Sequence, residues 1–234
     1  MSELNRSKVL AIVPARGKDF EHEGEPVMLN GKPLIGYTLE AAMACENIER
    51  IVVTTDSPNI RQLSIELGAE APFLRAEEMA SPSVSLDQVI NHCLELLESD
   101  QKYYPDVVMP LEASHPLRPD GLLDQVLFAL EREQLDTVFT VYEERHAFWE
   151  FDDYGELHAV TQGEGNPRSS RRPIFREVAG LALASKSSVI RNGRRFGPNL
   201  GVIVVREPYA VIDTQDNLGL ALAELVLRNG TDTS

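Results

Sequence analysis

Apolar segments of two kinds alternate along the 234 residues of this chain. Short continuous apolar runs predict strands, and the first of them, "KVLAIV", is rich in β-branched residues, as expected of a strand buried on both faces. These runs occupy 8–13, 50–55, 106–111, 137–142, 180–185 and 200–205. Segments with helical spacing of apolar residues lie at 33–45, 57–68, 85–98, 119–133 and 216–229. The alternation predicts an α/β fold, with a mostly parallel central sheet and helices on both faces.

Residues that favour helix ends mark several of these boundaries. Ser57 is a preferred N-cap residue, and Gly68 is suited to end the same helix. Pro119 stands where a helix tolerates proline, at its first turn. Thr214 is predicted to cap the last helix.

The helical pattern is interrupted over 143–176. This part contains a turn-forming "DYG", short strand-like pieces and several arginines. The arginines are Arg168, Arg171, Arg172 and Arg176. We therefore expect a single domain over 1–234 with a protruding segment at about 143–176. Aromatic residues without core-like spacing tend to mark interfaces, so Phe148, Trp149 and Phe151 predict a homodimer formed through this segment.

The amino-acid composition limits the classes of molecule that the protein is expected to bind. The formal net charge of −15 disfavours binding to nucleic acid or to an anionic membrane, because both depend on clustered Lys and Arg. No apolar run is long enough for a membrane span or the core of a signal peptide, so we expect a soluble protein. The two cysteines, Cys45 and Cys93, lie in apolar patterns and lack metal-ligand spacing, which favours buried free thiols and a cytoplasmic location.

Candidate binding residues follow the predicted strands, because ligands of open α/β sheets lie outside the carboxyl ends of the strands. Asp56 stands at such a position, but its neighbours favour a role at a helix start over a role as a ligand. His115 fits either a loop histidine or a site residue, and the arginines of 168–176 fit a solvated face, an interface or an anion site. The chain has no nucleophile elbow, no P-loop and no dinucleotide Gly-x-Gly-x-x-Gly.

Seven stretches taken together resemble a known family. In chain order they are "AIVPARG", "NGKPLIGYTLEAA", "RIVVTTDSPNI", "GAEAPFLRAEEMAS", "SHPLRP", "IFRE" and "IDTQDNLGLALAEL". Their order and spacing resemble those of the cytidylyltransferases of acidic sugars. These enzymes activate N-acylneuraminate, other nonulosonates and deoxyoctulosonate, and those acting on N-acylneuraminate are also called CMP-sialic acid synthetases. The resemblance implies a nucleotide-diphosphosugar transferase-like fold, with CTP and an acidic sugar as substrates and CMP-sugar and pyrophosphate as products. It also implies Mg²⁺ as cofactor and a dimer in which the protruding segment reaches the partner's sugar site.

The resemblance also assigns residues to roles. Those matched to catalysis are Arg16, Lys18 and Asp213. Those matched to nucleotide binding are Ala15, Arg16, Gly17, Arg75, Ser83 and Ser85. Those matched to the acceptor are Glu112, Ser114, Arg118, Arg172 and Arg176. Glu112 and Asp213 are the implied metal ligands, because the family's second aspartate is Val211 here.

The first loop departs from the family, which carries several cations there. This chain keeps Lys18 and adds four carboxylates, namely Asp19, Glu21, Glu23 and Glu25. A misplaced unit charge about 4 Å from a phosphate costs about 1 kcal/mol in water and about 4 kcal/mol at an effective dielectric constant of ~20. Three interpretations follow: an active enzyme whose loop turns outward or holds an extra Mg²⁺, an enzyme for another small acid such as a phosphonate, or a non-catalytic relative that binds a metabolite or a protein.

Overall fold

A computed structural model of the protein describes residues 7–160 and 167–230. Its strands are β1 Val9–Pro14, β2 Glu21–His22, β3 Glu25–Pro26, β4 Met28–Leu29, β5 Lys32–Pro33, β6 Ile48–Thr54, β7 Val107–Pro110, β8 Thr137–Glu144, β9 Trp149–Phe151, β10 Leu157–Ala159, β11 Ile174–Glu177, β12 Leu183–Lys186 and β13 Leu200–Val205. Its helices are α1 Gly17–Phe20, α2 Leu34–Ala44, α3 Pro58–Glu66, α4 Leu86–Gln101, α5 Leu122–Arg132, α6 Ser187–Arg191 and α7 Asn217–Asn229. Short 3₁₀ turns lie at Glu77–Ala80, Arg168–Ser170 and Pro208–Val211.

Seven strands form the central sheet. β1 lies between β6 and β7 and is parallel to both. β12 is antiparallel to β7 and to β8, while β13 is parallel to β8 and β11 is antiparallel to it. The predicted mostly parallel α/β sheet is confirmed.

Side chains of β1 alternate between two apolar layers, as the pleat of a strand requires. Ala11 and Val13 pack with residues of α2 and α5 on one face, and Leu10 and Ile12 pack with residues of α4 on the other. All of them are buried. A strand buried on both faces explains why "VLAIV" shows no polar positions.

Helix boundaries agree with the sequence in part. Ser57 caps α3, because its hydroxyl oxygen accepts from the N–H groups of the second and third residues that follow it. The predicted start of α5 at Pro119 is wrong, since the N-cap is Gly121 in a left-handed conformation (φ +70°). The predicted Thr214 cap is also wrong: Asp216 caps α7 and accepts from the N–H of Gly219.

The interrupted segment forms a hairpin of β9 and β10, followed by a 3₁₀ turn and by β11. The predicted "DYG" turn is present, with Gly155 at φ +82° and Asp152 accepting the N–H of Tyr154. Residues 174–177 pair with β8, so the end of the predicted protruding segment belongs to the central sheet. Residues 161–166 of that segment lie outside the described part of the chain.

Two further expectations concern the cysteines and membrane-spanning segments. Cys45 and Cys93 are buried free thiols, as predicted. Within 7–160 and 167–230, no helix has both the length and the apolar character needed to cross a membrane.

Candidate functional site

A cavity of about 260 Å³ lies where β1 and β7 end. Its wall includes the loop after β1, Leu34 of α2, Arg75, the 3₁₀ turn before α4, the start of α4, the turn after β7, and residues 214–215. Carboxyl ends of parallel strands are where open α/β sheets hold ligands. Of the residues that sequence reasoning proposed for a site, Arg16, Arg75, Glu112 and Ser114 line this cavity.

The loop after β1 is fastened by its backbone. The N–H of Ala15 donates to the carbonyl of Thr54 at 3.0 Å, and the N–H of Gly17 donates to Oδ1 of Asp56 at 3.0 Å. A Cβ on Gly17 would lie 2.8 Å from Cβ of Ser57, so this close approach needs glycine. The N–H groups of Ala15 and Gly17 are therefore occupied within the protein, and these residues hold Arg16 in place.

Asp56 is expected at a helix start, but its carboxylate links the loop after β1 to Arg75. Besides the N–H of Gly17, its Oδ1 accepts from Nη2 of Arg75 at 3.4 Å. The helix cap is supplied by Ser57 instead. The position of Asp56 directly after a strand was the feature of the sequence that could have indicated this role.

The acidic loop folds into a small hairpin that carries most of its charge away from the cavity. β2 and β3 pair across a turn at Glu23 and Gly24, which have φ of +53° and +85°. The carboxylate of Glu21 accepts a hydrogen bond from the hydroxyl of Ser57. Glu23 and Glu25 are exposed and do not line the cavity, whereas Asp19 does. This geometry favours the interpretation in which the loop turns outward.

Two arginines bring positive charge to the cavity. Arg16 lies at the wall, and its Nε donates to Oδ2 of Asp19 at 2.7 Å. Arg75 is 4% exposed, and burial lowers the pKa of its guanidinium. Its Nε has no hydrogen-bond partner among the described residues. Because an unpaired buried charged donor is costly, this N–H is suited to a ligand that brings an acceptor. Lys18, by contrast, is exposed and does not line the cavity.

The two serines matched to nucleotide binding make local contacts. The hydroxyl of Ser85 accepts from the N–H of Gln88, whose side chain accepts from the N–H of Ser85 in a capping box at the start of α4. The hydroxyl of Ser83 lies 2.9 Å from that of Ser81. Neither Ser83 nor Ser85 lines the cavity, whereas Ser81 does.

The turn after β7 packs tightly against the backbone of Gly180. The N–H of Glu112 donates to the Gly180 carbonyl at 2.9 Å. A Cβ on Gly180 would lie 2.8 Å from the Glu112 carboxylate and 2.9 Å from Cε1 of His115, so glycine is required here. Burial raises the pKa of Glu112, opposed by the charge of Arg195 and assisted by that of Asp213. Burial also lowers the pKa of His115 to about 4, so this imidazole is neutral at pH 7.

Arg118 braces this turn through a set of protein acceptors. They are the carbonyls of Glu112, His115, Gly180 and Leu181 and the hydroxyl of Thr38, at 2.6–3.1 Å. All three guanidinium nitrogens are engaged in this way. Contact of Arg118 with an acceptor substrate therefore stays a prediction, whereas its contacts with the turn are explicit.

Residues 213–215 are fixed to the same turn. The carbonyl of Ser114 accepts both the N–H and the hydroxyl of Thr214, each at 2.9 Å. Asp213 is exposed, and its Oδ1 accepts from the N–H of Gln215 at 3.0 Å. Since the charge of Asp213 shifts the pKa of Glu112, the two carboxylates lie within electrostatic reach of each other. Glu112 lines the cavity, and Asp213 adjoins the lining residues 214–215. Two such carboxylates fit Mg²⁺, which is commonly held by one or two carboxylates and the phosphates of a substrate.

The remaining two predicted residues lie outside the cavity lining. Arg176 on β11 is exposed and donates to Oε1 of Glu144 at 3.5 Å, with its guanidinium 5.7 Å from the ring of Tyr142. Burial is the main cause of the lowered pKa of His115, and the charge of Arg176 contributes to it. Arg172 is exposed. Their contact with an acceptor stays a prediction.

Comparisons with known proteins show to which family the chain belongs. Residues 10–175 match the family model described as Cytidylyltransferase. Pseudaminic acid cytidylyltransferase of Campylobacter jejuni is 30% identical over 221 residues, which are 92% of this chain and 94% of that protein. N-acylneuraminate cytidylyltransferase of Escherichia coli is 39% identical over 223 residues, which are 93% of this chain and 52% of that protein. The solved structure of CMP:2-keto-3-deoxy-manno-octonic acid synthetase complexed with CTP has a TM-score of 0.66 at 14% identity, over 95% of this chain and 99% of that one, which is a likeness of fold.

Proposed function

Because the chain belongs to the cytidylyltransferase family, we propose that it transfers CMP from CTP to a nonulosonate-type acidic sugar and releases pyrophosphate. The observation that carries the proposal is the buried Arg75, which has an unpaired Nε and lines a cavity that Arg16 also lines. Two guanidinium groups at one cavity suit phosphate oxygens, which accept charge-assisted hydrogen bonds. The outward turn of the acidic hairpin removes the main objection to a triphosphate at this place.

The reaction needs positioning and charge neutralisation more than covalent participation by the protein. An oxygen of the sugar attacks the α-phosphorus, the bond from that phosphorus to the bridging oxygen of the β-phosphate breaks, and the hydroxyl proton is released. Arg16 and Arg75 stabilise the negative charge on the phosphates. Glu112 and Ser114, on the turn after β7, line the same cavity and are the residues proposed to contact the acceptor.

Glu112 and Asp213 are the residues that would hold Mg²⁺. When bound, the ion supplies further neutralisation of phosphate charge. The protein's own contribution is to keep both carboxylates on fixed backbone, through the Glu112 bond to Gly180 and the Thr214 bonds to Ser114.

We also propose that the active form is a homodimer built through the β9–β10 hairpin. Exposed apolar side chains cover this hairpin, and contiguous exposed apolar surface tends to mark an interface. They are Trp149, Phe151, Tyr154 and Leu157. The two free buried thiols support a cytoplasmic location, where thiols stay reduced.

Calorimetric binding of CTP, UTP and ATP to the wild type and to Arg75→Met tests the nucleotide site. We expect CTP to bind, and the variant to bind it at least about tenfold more weakly, because methionine fills the volume without a charged donor. Arg206→Met, at an exposed arginine outside the cavity, is the matched control. No CTP binding by the wild type at millimolar concentration would reject the proposal.

A further inference from the structure

We propose that Asp19 competes with the phosphates of a bound nucleotide for the guanidinium of Arg16, and so weakens the affinity of the site for nucleotide. This inference rests on the proposed function. It concerns a carboxylate that stands in the first loop, where the resembling family carries cations.

The geometry sets Asp19 apart from the other carboxylates of the loop. Asp19 and Arg16 both line the cavity, and Oδ2 of Asp19 accepts from Nε of Arg16 at 2.7 Å. The backbone reinforces the pair, because the N–H of Asp19 donates to the carbonyl of Arg16 at 3.0 Å. Glu21 is engaged with Ser57, and Glu23 is at the exposed turn of the hairpin.

A phosphate oxygen and the Asp19 carboxylate seek the same donor. Both are anionic acceptors that make short charge-assisted bonds to a guanidinium N–H. A triphosphate that engages Nε of Arg16 must therefore displace Asp19 from it. Both side chains are 35% exposed, and pairs with such access to water are weak enough to be exchanged.

Arg75, the other arginine of the cavity, is paired with a carboxylate that also holds the backbone of the first loop. Asp56 lies 3.4 Å from Nη2 of Arg75, and the same carboxylate oxygen holds the N–H of Gly17. Removal of Asp56 would thus remove one of the two hydrogen bonds that fasten the loop carrying Arg16. Removal of the Asp19 charge leaves that attachment intact, so its effect falls on the ligand.

The test measures dissociation constants of CTP and of inorganic tripolyphosphate, by calorimetry at fixed ionic strength. The proteins are the wild type, Asp19→Asn, Arg16→Ala, the double variant with both changes, and Glu23→Gln. Glu23→Gln is the matched control, because it removes one negative charge from the same loop at an exposed position outside the cavity. Circular dichroism verifies that each variant is folded.

We expect Asp19→Asn to lower the dissociation constant of both probes by about two- to fivefold, the range typical of an exposed ion pair. Glu23→Gln should change it by less than about 1.5-fold, because an exposed distant charge is screened. In the Arg16→Ala background, Asp19→Asn should increase the affinity clearly less, because there is no guanidinium for Asp19 to release.

Four results would overturn the proposal. An equal gain in affinity in Glu23→Gln would show that the effect comes from net charge. An undiminished gain in affinity in the Arg16→Ala background would show that Asp19 repels the phosphate directly. A loss of affinity in Asp19→Asn would mean that Asp19 positions Arg16 for binding. Binding of tripolyphosphate without binding of CTP would instead reject the proposed function, and the Asp19 comparison would then be made with tripolyphosphate. Failure of both the wild type and Asp19→Asn to bind either probe would overturn both.

Discussion

Arg16 lines the cavity and Asp213 directly precedes residues 214–215, which also line it, and each stands on backbone that other residues hold. Arg16 is fixed by the N–H bonds of Ala15 and Gly17 on either side of it. Asp213 precedes Thr214, which is bonded to the carbonyl of Ser114. Fixed charges that need not reorganise are worth more to a reaction than mobile ones.

Arg16→Ala and Asp213→Asn should therefore each lower the rate of CTP turnover by at least about tenfold, equivalent to ~1.4 kcal/mol of transition-state stabilisation. Arg228→Ala, at an exposed arginine of α7 that pairs with Glu224, should leave the rate unchanged. Initial rates of pyrophosphate release at saturating CTP and acceptor measure this effect. Rates within about twofold of wild type in both site variants would count against the assignment.

Burial of His115 should make the stability of the protein depend on pH. Its folded-state pKa is lowered by burial from 6.5 to about 4, so the folded protein binds this proton more weakly than the unfolded chain. Stability from the neutral imidazole is complete above pH 6.5 and is lost as the pH falls toward 4, by up to about 1.4 kcal/mol per pH unit.

His115→Gln, which cannot take up the proton, should lose less stability over this window than the wild type. Urea unfolding at steps between pH 7 and pH 4 measures the difference. Parallel profiles for the two proteins would show that His115 does not titrate abnormally.

At the scale of elements, the loop that carries Asp213 meets the first turn of α7 at Gly219. A Cβ on Gly219 would lie 1.8 Å from the carbonyl oxygen of Asp213, a backbone atom that cannot rotate away. Alanine is favoured over glycine in a helix by about 1 kcal/mol, but a clash of this kind typically costs about 1–3 kcal/mol and shifts the backbone.

Gly219→Ala should thus lower both the free energy of unfolding, by about 1–2 kcal/mol, and the rate of CTP turnover, because Asp213 moves. Leu222→Ala, at an exposed residue of the same helix, is the control. Urea denaturation and the pyrophosphate assay measure the two effects. A variant as stable and as active as the wild type would show that the contact relaxes freely.

Elements with strong periodicity could be predicted from the sequence, and those set by tertiary contacts could not. The strand at β1 follows from its uninterrupted apolar run, and α3 follows from Ser57 before proline. The hairpins β2–β3 and β4–β5 have strands of two residues, which are too short to show a period.

The same distinction applies to the candidate site. A charged residue such as Arg118 resembles a substrate ligand in sequence, but its partners Thr38 and Leu181 lie 80 and 63 residues away along the chain. The hydrogen bond from Gly17 to Asp56 spans 39 residues, so a local sequence pattern could not predict it either. Arg16, Arg75, Glu112 and Ser114 could be placed at the cavity because each follows a strand or stands in a recognisable stretch.

At the scale of the whole molecule, the β9–β10 hairpin offers apolar surface without a covering element among the described residues. Trp149 is 49% exposed and Phe151 is 73% exposed. The account predicts a dimer mass in light scattering at micromolar concentration, and a shift toward monomer in Trp149→Ser/Phe151→Ser. Phe128→Ser, at an exposed residue of α5, should leave the dimer intact. A monomer mass for the wild type would reject the hairpin as a dimer interface.

Release of pyrophosphate from CTP is the reaction on which the proposed function depends. Pyrophosphate release from CTP, UTP and ATP should be measured with Mg²⁺ and a panel of acidic sugars that includes N-acetylneuraminate, other nonulosonates and deoxyoctulosonate, with a simple phosphonate as a further acceptor. We expect release from CTP with at least one nonulosonate, at least about tenfold slower release from UTP and ATP, and loss of activity in Arg16→Ala. Absence of release from CTP across the whole panel by folded wild-type protein would contradict the proposed function.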